Sequence, residues 1–168
     1  ASQTGPVRCD DVKITTDDLL AGPVEDVLLK GSGGGAGGLQ TSTLALGLTR
    51  AALRYTAGEA ERRPDLQVPV DALREEAERL VVMLLSAAAG EPGSEGPSTV
   101  QALRVRANSL VLRATQMSLA AAKGAGYASR HPVGRWCREA LFFLVWSCPQ
   151  PVVEENLREL AGLADAVE

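Results

Sequence analysis

From residue 39 to the end of the chain, apolar residues recur every three or four positions, and this spacing is the strongest constraint on the fold. Such a period places the apolar side chains on one face of an α-helix. Prolines and glycines interrupt the pattern at Pro64, across 90–97, at Gly124 and at Pro149. The pattern therefore predicts five helical segments with short connections, which favour antiparallel neighbours.

Each segment has a predicted range and, in most cases, a predicted buried stripe. The ranges are 39–62, 70–88, 98–123, 133–147 and 152–167. The stripes are Leu46, Leu53 and Ala60; Leu73, Ala77, Leu80 and Leu84; Leu103, Ala107, Leu110, Ala114, Met117 and Ala121; and Val153, Leu157, Leu160 and Ala164. Only 4% of the residues are aromatic, so the core must consist mostly of Leu, Val and Ala, which suits helix packing. The sequence predicts an all-α fold, an antiparallel helical bundle of four to five helices.

Segment 133–147 differs from the others because it is apolar on nearly all sides after Glu139. It also holds four of the six aromatic residues, including Trp136, Phe143 and Trp146. A helix of this kind is typically buried. We therefore expect it to lie in the core or in a subunit interface rather than to form a ligand cage.

Residues 1–38 have a different pattern. Val12 and Ile14 alternate with polar residues as in a short β-strand, and 24–29 fits a second strand or a turn of helix. The stretch GSGGGAGG at 31–38 loses much entropy if it is ordered, so we expect a flexible connector. Two regions follow: an extended leader with a Gly-rich connector over 1–38, and the helical bundle over 39–168.

Charge and composition exclude several classes of protein. With 17 basic and 21 acidic residues the formal charge is −4, which gives no basic surface for nucleic acid. No apolar run approaches the roughly 20 residues that cross a membrane, and the N-terminus has no signal-peptide pattern. Three cysteines without a C-x-x-C pair indicate reduced, cytoplasmic thiols, and the single histidine leaves no usual zinc-ligand set. We expect no nucleic acid, membrane or metal partner.

Two patterns could carry chemistry but have simpler interpretations. His131 could act as a base for Cys148 or Ser147, although residues of these types are more often structural. The glycines at 33, 35 and 38 formally match G-x-G-x-x-G, but a dinucleotide site needs a βαβ unit, and here helix follows helix. A flexible connector is the favoured interpretation of these glycines.

Three arginines, Arg104, Arg106 and Arg113, cluster on the third helical segment. They could contact an anion or an acidic neighbour. A solvated helix face or intersubunit salt bridges is the simpler interpretation of such a cluster.

Four stretches of this sequence have the same order and spacing as corresponding stretches in a known protein family. They are VRCDDVKITTDDLLAGP at 7–23, LALGLTRAAL at 44–53, RPDLQVP at 63–69 and AAAKGAGYASRHPVGRWCREA at 120–140. Together they resemble the C-terminal part of acyl-CoA dehydrogenases, a family of flavoproteins. The first resembles the exit from the family's β-domain and the second its first bundle helix. The third resembles the R-x-x-F-G-x-P turn, and the fourth the end of the long helix with the Arg-Asp pair, here Arg138-Glu139.

The resemblance implies that this chain is the last third of a larger enzyme. In that family, FAD and the acyl thioester lie between the helical domain, a β-domain and an N-terminal helical domain. The resemblance also implies a homo-oligomer, a dimer or tetramer, with subunit contacts made by the helical domains.

The resemblance further indicates where a catalytic base would lie. In many members it is the Glu of a Tyr-Glu-Gly-Thr run, which falls on 146–149 here and places Ser147 at the base position. Serine without a partner is not a base at neutral pH. Other members carry the Glu on the first bundle helix, but 31–58 contains no Asp or Glu. Glu154 and Glu155 could substitute only in a different register, so we assign no catalytic residue.

The R-x-x-F-G turn of the family contributes to FAD binding across the subunit interface. Arg63 matches the arginine, whereas Leu66 and Gln67 replace the Phe and the Gly. These three residues are the cofactor-binding candidates. The loss of the aromatic ring and of the glycine favours the alternative for Arg63, a solvated cation at a helix end.

Two hypotheses of function follow. The first is the C-terminal domain of an acyl-CoA dehydrogenase-like flavoprotein, with FAD-dependent acyl-CoA oxidoreduction in the full-length parent and no autonomous activity in this chain. The second is a non-catalytic helical oligomerisation or interaction domain that has lost the dehydrogenase base.

Overall fold

Five α-helices account for most of the residues that the computed structural model describes, which are 5–22, 24–25, 38–91 and 97–163. The helices are α1 (Leu39–Ala60), α2 (Gln67–Ala89), α3 (Pro97–Ala122), α4 (Pro132–Phe142) and α5 (Gln150–Leu160). The predicted all-α helical bundle is confirmed. Across the described ranges, no helix combines the length and the apolar character that a membrane crossing requires.

The chain divides into two units, Ala1–Gly35 and Ala36–Glu168. In the described part of the first unit, the regular element is a 3-10 turn at Thr16–Asp18. The backbone N–H of Thr15 donates to the Asp18 carboxylate at 2.8 Å, which lowers the pKa of Asp18. The strand over 12–14 stays a prediction, since these residues have no strand partner among the described ones. Most of 24–29 and of the glycine-rich stretch 31–38 lies outside the described residues.

The helices begin and end where the sequence carries helix-breaking residues. Pro64 begins a 3-10 turn after α1, and Pro69 lies in the first turn of α2, where its missing N–H costs nothing. Gly90 ends α2 in the left-handed conformation with a φ of 68°, and its N–H donates to the carbonyl of Ala87. Lys123, with a φ of 53°, begins the 3-10 turn Lys123–Tyr127 that follows α3.

Helix α3 is the centre of the bundle and contacts each of the other four helices. Side-chain hydrogen bonds give the register of α3 against α2 and α4, and in each pair of helices the partner residue numbers fall as the α3 numbers rise. They join Arg113 to Glu76 and Arg106 to Met83 for α2, and Thr115 to Cys137 and Asn108 to Phe143 for α4. Both neighbours are therefore antiparallel to α3.

The core contains most of the stripes predicted for α1, α2 and α3, whereas the stripe predicted for α5 is wrong: Leu157 and Leu160 are exposed, and that helix buries Val152 and Asn156 instead. The largest cluster of buried apolar residues includes Leu46 and Leu53 of α1, Leu80 and Leu84 of α2, and Leu103, Leu110 and Val111 of α3. Fully buried alanines on α1 and α3, among them Ala52 and Ala107, keep side chains short between these helices. Small residues allow close helix packing, so a core with few aromatic rings still excludes water.

Buried hydroxyl groups also join α1 to α3. Thr56 and Ser118 are fully buried, and their hydroxyl oxygens lie 2.8 Å apart. The Ser118 hydroxyl can also donate to the carbonyl of Ala52 across the interface, at 3.0 Å. Such bonds satisfy polar groups that would otherwise be costly to bury.

Two helix ends differ from the prediction. Helix α4 ends at Phe142 instead of residue 147, because the following residues form turns and Ser147 adopts a φ of 49°. Leu141 and Phe142 at the end of α4 are exposed, as are Val145 and Trp146 in the turns that follow, so the expectation of a buried helix is wrong for this region. Helix α5 ends at Leu160, and Gly162 follows with a φ of 69°. Residues 164–168 lie outside the described part.

Candidate functional site

The three cofactor-binding candidates lie together in the connection between α1 and α2. Arg63 donates from Nη1 to the carbonyl of Ala121 at 3.0 Å and pairs from Nη2 with Asp65 at 3.2 Å. Leu66 is buried against Ala60 and Ala121. Gln67 donates from Nε2 to the Asp71 carboxylate at 2.8 Å. Every candidate thus has an intramolecular role.

This arrangement does not fit an FAD phosphate. Both terminal nitrogens of Arg63 are already used within the chain, and the buried Leu66 offers no ring to a cofactor. A phosphate could reach Arg63 only after the side chain left Ala121 and Asp65. The cofactor role of this turn stays a prediction, and the geometry favours a helix-end cation.

The possible pairs of His131 with Cys148 or Ser147 are not formed. His131 lies before the first residue of α4, while Ser147 and Cys148 follow its last residue. The intervening helix of 11 residues is about 16 Å long at 1.5 Å per residue. The His131 ring instead accepts the N–H of Val133 at Nδ1 and lies 3.4 Å from the Tyr55 hydroxyl at Nε2.

The carboxylates near the expected base position face solvent. Glu154 and Glu155 are both exposed on α5, and Glu154 accepts a hydrogen bond from Gln150 at 3.2 Å. Ser147 lies in the turn between α4 and α5 with its backbone in the left-handed region. A base for proton abstraction must reach the substrate carbon, and the described geometry aims neither carboxylate at an enclosed site.

A group of polar residues is buried where α3 meets the turn between α4 and α5. We call Arg104, Asn108 and Cys148 the Arg104 cluster. Arg104 has an exposed fraction of 0% and donates from Nη2 to the carbonyls of Phe143 at 3.0 Å and Trp146 at 3.2 Å. Asn108, also fully buried, donates to the Phe143 carbonyl at 3.2 Å. The cluster therefore binds carbonyls at the carboxyl end of α4, where the helix dipole favours a cation.

The hydrogen-bonding capacity of the cluster is not exhausted. Nε and Nη1 of Arg104 and Oδ1 of Asn108 are buried without a hydrogen-bond partner. The Phe143 ring lies 5.9 Å from the guanidinium carbon, which adds a weak cation–π contact. Burial lowers the pKa of Arg104, and the nearby Cys148 sulfur opposes this shift. Burial raises the pKa of Cys148, while Arg104 and Asn108 oppose that rise.

The prediction that Arg104, Arg106 and Arg113 form a solvated helix face is wrong for Arg104. For Arg106 and Arg113 it is correct only in part. Arg106 is exposed and lies 3.5 Å from the sulfur of Met83. Arg113 forms a two-point ion pair with Glu76 of the same chain, with one N–O distance of 2.9 Å. The arginines on one helix have different surroundings because they point in different directions around its axis.

Sequence reasoning missed the Arg104 cluster, although α3 carries a signal of it. Arg104, Asn108, Thr115 and Ser118 are spaced by four, seven and three residues and lie on one face of the helix. All four are fully buried. A stripe of polar residues that follows the helical period beside an apolar stripe indicates a second buried face.

Two concave regions lie elsewhere on the bundle. A groove of about 500 Å³ runs between α1 and α2, with Arg50, Arg54 and Arg74 above an apolar floor that includes Leu53 and Val81. Its volume is in the range of small-molecule sites. The groove is open, and Arg74 also pairs with Asp71 at 3.1 Å.

The second cavity, of about 230 Å³, lies beside the amino end of α4. His131, Cys137 and Arg138 contribute to its wall. The backbone of Gly134 approaches that of Gly126 so closely that an added Cβ would lie 2.6 Å from the Gly126 oxygen. This contact joins α4 to the turn after α3.

Within the ranges described above, no group of three or more His, Cys, Asp or Glu residues could hold a metal ion. The three cysteines are free: Cys9 is exposed, and Cys137 and Cys148 are half-buried. In comparisons with known proteins, no family model, no curated protein and no solved structure matches this chain. The functional interpretation therefore depends on the residues themselves.

Proposed function

We propose that this chain is the C-terminal helical domain of an acyl-CoA dehydrogenase-like flavoprotein, and that its own residues contribute assembly rather than chemistry. FAD and acyl-CoA would be bound by the full-length parent. The four motifs in order and the helical bundle support the descent. The serine at 147 and the internal contacts of Arg63 support the loss of chemistry within this chain.

The observation that carries the assembly role is an exposed apolar surface at the end of α4. We call it the aromatic surface; it comprises Leu141, Phe142, Val145 and Trp146. The Phe142 and Trp146 rings stack at 5.0 Å, and Val145 is 77% exposed. Contiguous apolar side chains of this kind usually mark an interaction site.

The partner proposed for the aromatic surface is a second copy of this chain. Stacked rings and branched aliphatic side chains can pack against the same surface of a twofold-related copy. The resemblance supports this choice, because the helical domains make the subunit contacts in the family. A self-complementary contact of this type predicts a concentration-dependent dimer.

The assembly role is tested by light scattering during size-exclusion chromatography of the purified chain. Val145→Glu introduces a charge into the aromatic surface and should convert the dimer to a monomer without changing the circular dichroism spectrum. Leu85→Glu is the matched control, since Leu85 is an apolar residue of α2 with an exposed fraction of 61%. A chain that is monomeric at all concentrations, or variants that dissociate equally, would contradict the proposal.

The loss of chemistry is tested separately. The purified chain should have no flavin absorbance, and it should not oxidise an acyl-CoA in the presence of an electron acceptor and added FAD. Activity under these conditions would contradict the non-catalytic role, and Ser147 and Glu154 would then be the candidates for the catalytic base.

The second hypothesis, a non-catalytic helical oligomerisation or interaction domain that has lost the dehydrogenase base, also allows an oligomer. A monomer that keeps the aromatic surface exposed would indicate that a different protein is the partner. The free thiols support a reducing, cytoplasmic location under both hypotheses. The oligomeric state therefore distinguishes a second copy of this chain from a different protein as the partner of the aromatic surface, whereas bound flavin would distinguish the two hypotheses.

A further inference from the structure

Two exposed arginines of α1 have no partner within the described part of the chain. Arg50 and Arg54 lie four residues apart, so their side chains share one side of the helix. Neither forms an ion pair or a hydrogen bond with a described residue. The acidic residue of α1, Glu59, is not three or four positions from either arginine. Like charges at this spacing destabilise a helix, and an anion bound between them relieves the repulsion.

Both arginines line the groove between α1 and α2, and Arg74 of α2 is a third cation in its lining. The two helices contact each other and are joined by the short connection 61–66, so they run antiparallel. Arg54 lies six residues before Ala60, the last residue of α1. Arg74 lies seven residues after Gln67, the first residue of α2. These two cations are therefore at the same level on opposite walls of the groove.

The rest of the groove is apolar. Leu53 and Ala77 are buried in its floor, and Val81 and Val82 line the end that lies about two turns of α2 beyond Arg74. The volume of about 500 Å³ is in the range of a drug-sized ligand. The groove therefore suits an elongated molecule with a charged group at one end and an apolar tail at the other.

Two carboxylates lie near these cations and reduce the positive charge. Asp71 pairs with Arg74 at 3.1 Å, but both side chains are exposed, where such a pair is weak. Glu78 lines the groove one turn of α2 beyond Arg74, toward the apolar end. Three arginines and one glutamate thus line the groove, in a chain whose formal charge is −4. This local excess of two positive charges is complementary to a dianion.

We propose that the groove between α1 and α2 binds an apolar molecule that ends in a phosphate monoester. This inference does not depend on the proposed function, and the three cofactor-binding candidates do not line the groove. A phosphate monoester carries nearly two negative charges at neutral pH, and its three terminal oxygens accept charge-assisted hydrogen bonds from guanidinium groups on two sides. The phosphate lies between Arg54 and Arg74, and the apolar tail extends over Leu53 toward Val82.

The experiment titrates octyl phosphate into the intact, isotope-labelled chain at low ionic strength and follows the backbone amides by NMR. We expect saturable shifts of amide signals in α1 and α2, with a Kd of about 1 mM for a ligand of this size. Butyl phosphate has a shorter tail and should bind about tenfold more weakly, because it buries less apolar surface. Octyl phosphate that shifts no signals of α1 and α2, or only those of the aromatic surface, would overturn the proposal.

The role of the cations is tested with charge variants. Arg54→Gln should weaken both phosphates about fivefold, the upper range for an ion pair near solvent. Arg79→Gln is the matched control, because Arg79 is an exposed arginine of α2 that pairs with Glu75 and does not line the groove. Glu78→Gln removes a repelling charge and should strengthen the binding of both phosphates. If Arg54→Gln and Arg79→Gln have equal effects on Kd, the proposal is wrong.

The position of the tail is tested at the apolar end of the groove. Val82→Ser should weaken octyl phosphate but not butyl phosphate, whose tail is too short to reach this residue. Leu85→Ser is the control, because Leu85 is an equally exposed residue of α2 outside the groove lining. All the substituted side chains are exposed, so the variants should keep the circular dichroism spectrum of the parent chain. A Val82→Ser variant that binds octyl phosphate as tightly as the parent chain would overturn the proposal.

Discussion

Replacing Gly134 by alanine should destabilise the bundle, because α4 is packed against backbone at this position. An added Cβ would lie 2.6 Å from the carbonyl oxygen of Gly126, and the oxygen belongs to backbone that cannot rotate away. Overpacking costs about 1–3 kcal/mol, and alanine recovers about 0.5–1 kcal/mol relative to glycine within a helix. The expected net loss in the free energy of unfolding is about 0–2.5 kcal/mol, with a central value of about 1 kcal/mol that lowers Tm by about 2–4 °C for a chain of this size.

Gly58→Ala is the matched control for this prediction. Gly58 lies in α1, and an added Cβ there has no atom within 4 Å. The same substitution should therefore stabilise the chain by about 0.5–1 kcal/mol. The sign of the effect, and not only its size, differs between the two variants.

Both variants are compared with the parent chain by urea unfolding, monitored by far-UV circular dichroism. The midpoints report differences in the free energy of unfolding only if this free energy falls with urea concentration at the same slope in all the proteins compared. If Gly134→Ala is stabilised as much as Gly58→Ala, the close approach of α4 to the turn Lys123–Tyr127 does not exist and the reasoning is refuted.

Three further predictions concern buried and exposed polar groups. Ser118→Ala removes the hydroxyl that bonds α1 to α3 and should cost about 1–2 kcal/mol in urea unfolding; no loss would contradict the buried bond. Glu76→Gln weakens the partly exposed pair with Arg113 and should cost less than about 1 kcal/mol, with the difference shrinking in high salt. Burial raises the pKa of Cys137 and Cys148 above the ordinary value of 9.0, so unfolded thiols ionise first and stability should fall as the pH rises above about 9. The double serine variant should lose this extra pH dependence, and an unchanged profile would count against the burial of the thiols.

The helices could be predicted from the sequence because their signals are local. The recurrence of Leu46 and Leu53 places both on one face of a helix before any partner is known, and both are buried. Pro69 and Gly90 mark the start and the end of α2 through their own backbone preferences. These features depend on residues within a few positions of each other.

The candidate site was less predictable because it depends on residues far apart in the chain. Arg63 was correctly placed at a helix end, but its bond to Ala121 joins positions 58 residues apart. The possible pair of His131 and Cys148 failed because α4 extends between them, a geometric fact that residue type does not reveal. The cofactor role of Leu66 and Gln67 remains an expectation from the resemblance alone.

The sequence by itself determined that this chain forms amphipathic helices with small residues in the core. The tertiary structure decided which polar residues those helices bury. Arg104 and Arg113 are both arginines of α3, yet one is enclosed at the end of α4 and the other pairs with Glu76 near solvent. The period of a helix specifies only which residues share a face. Burial and charge pairing depend on which helix covers that face, and this follows from packing the whole bundle.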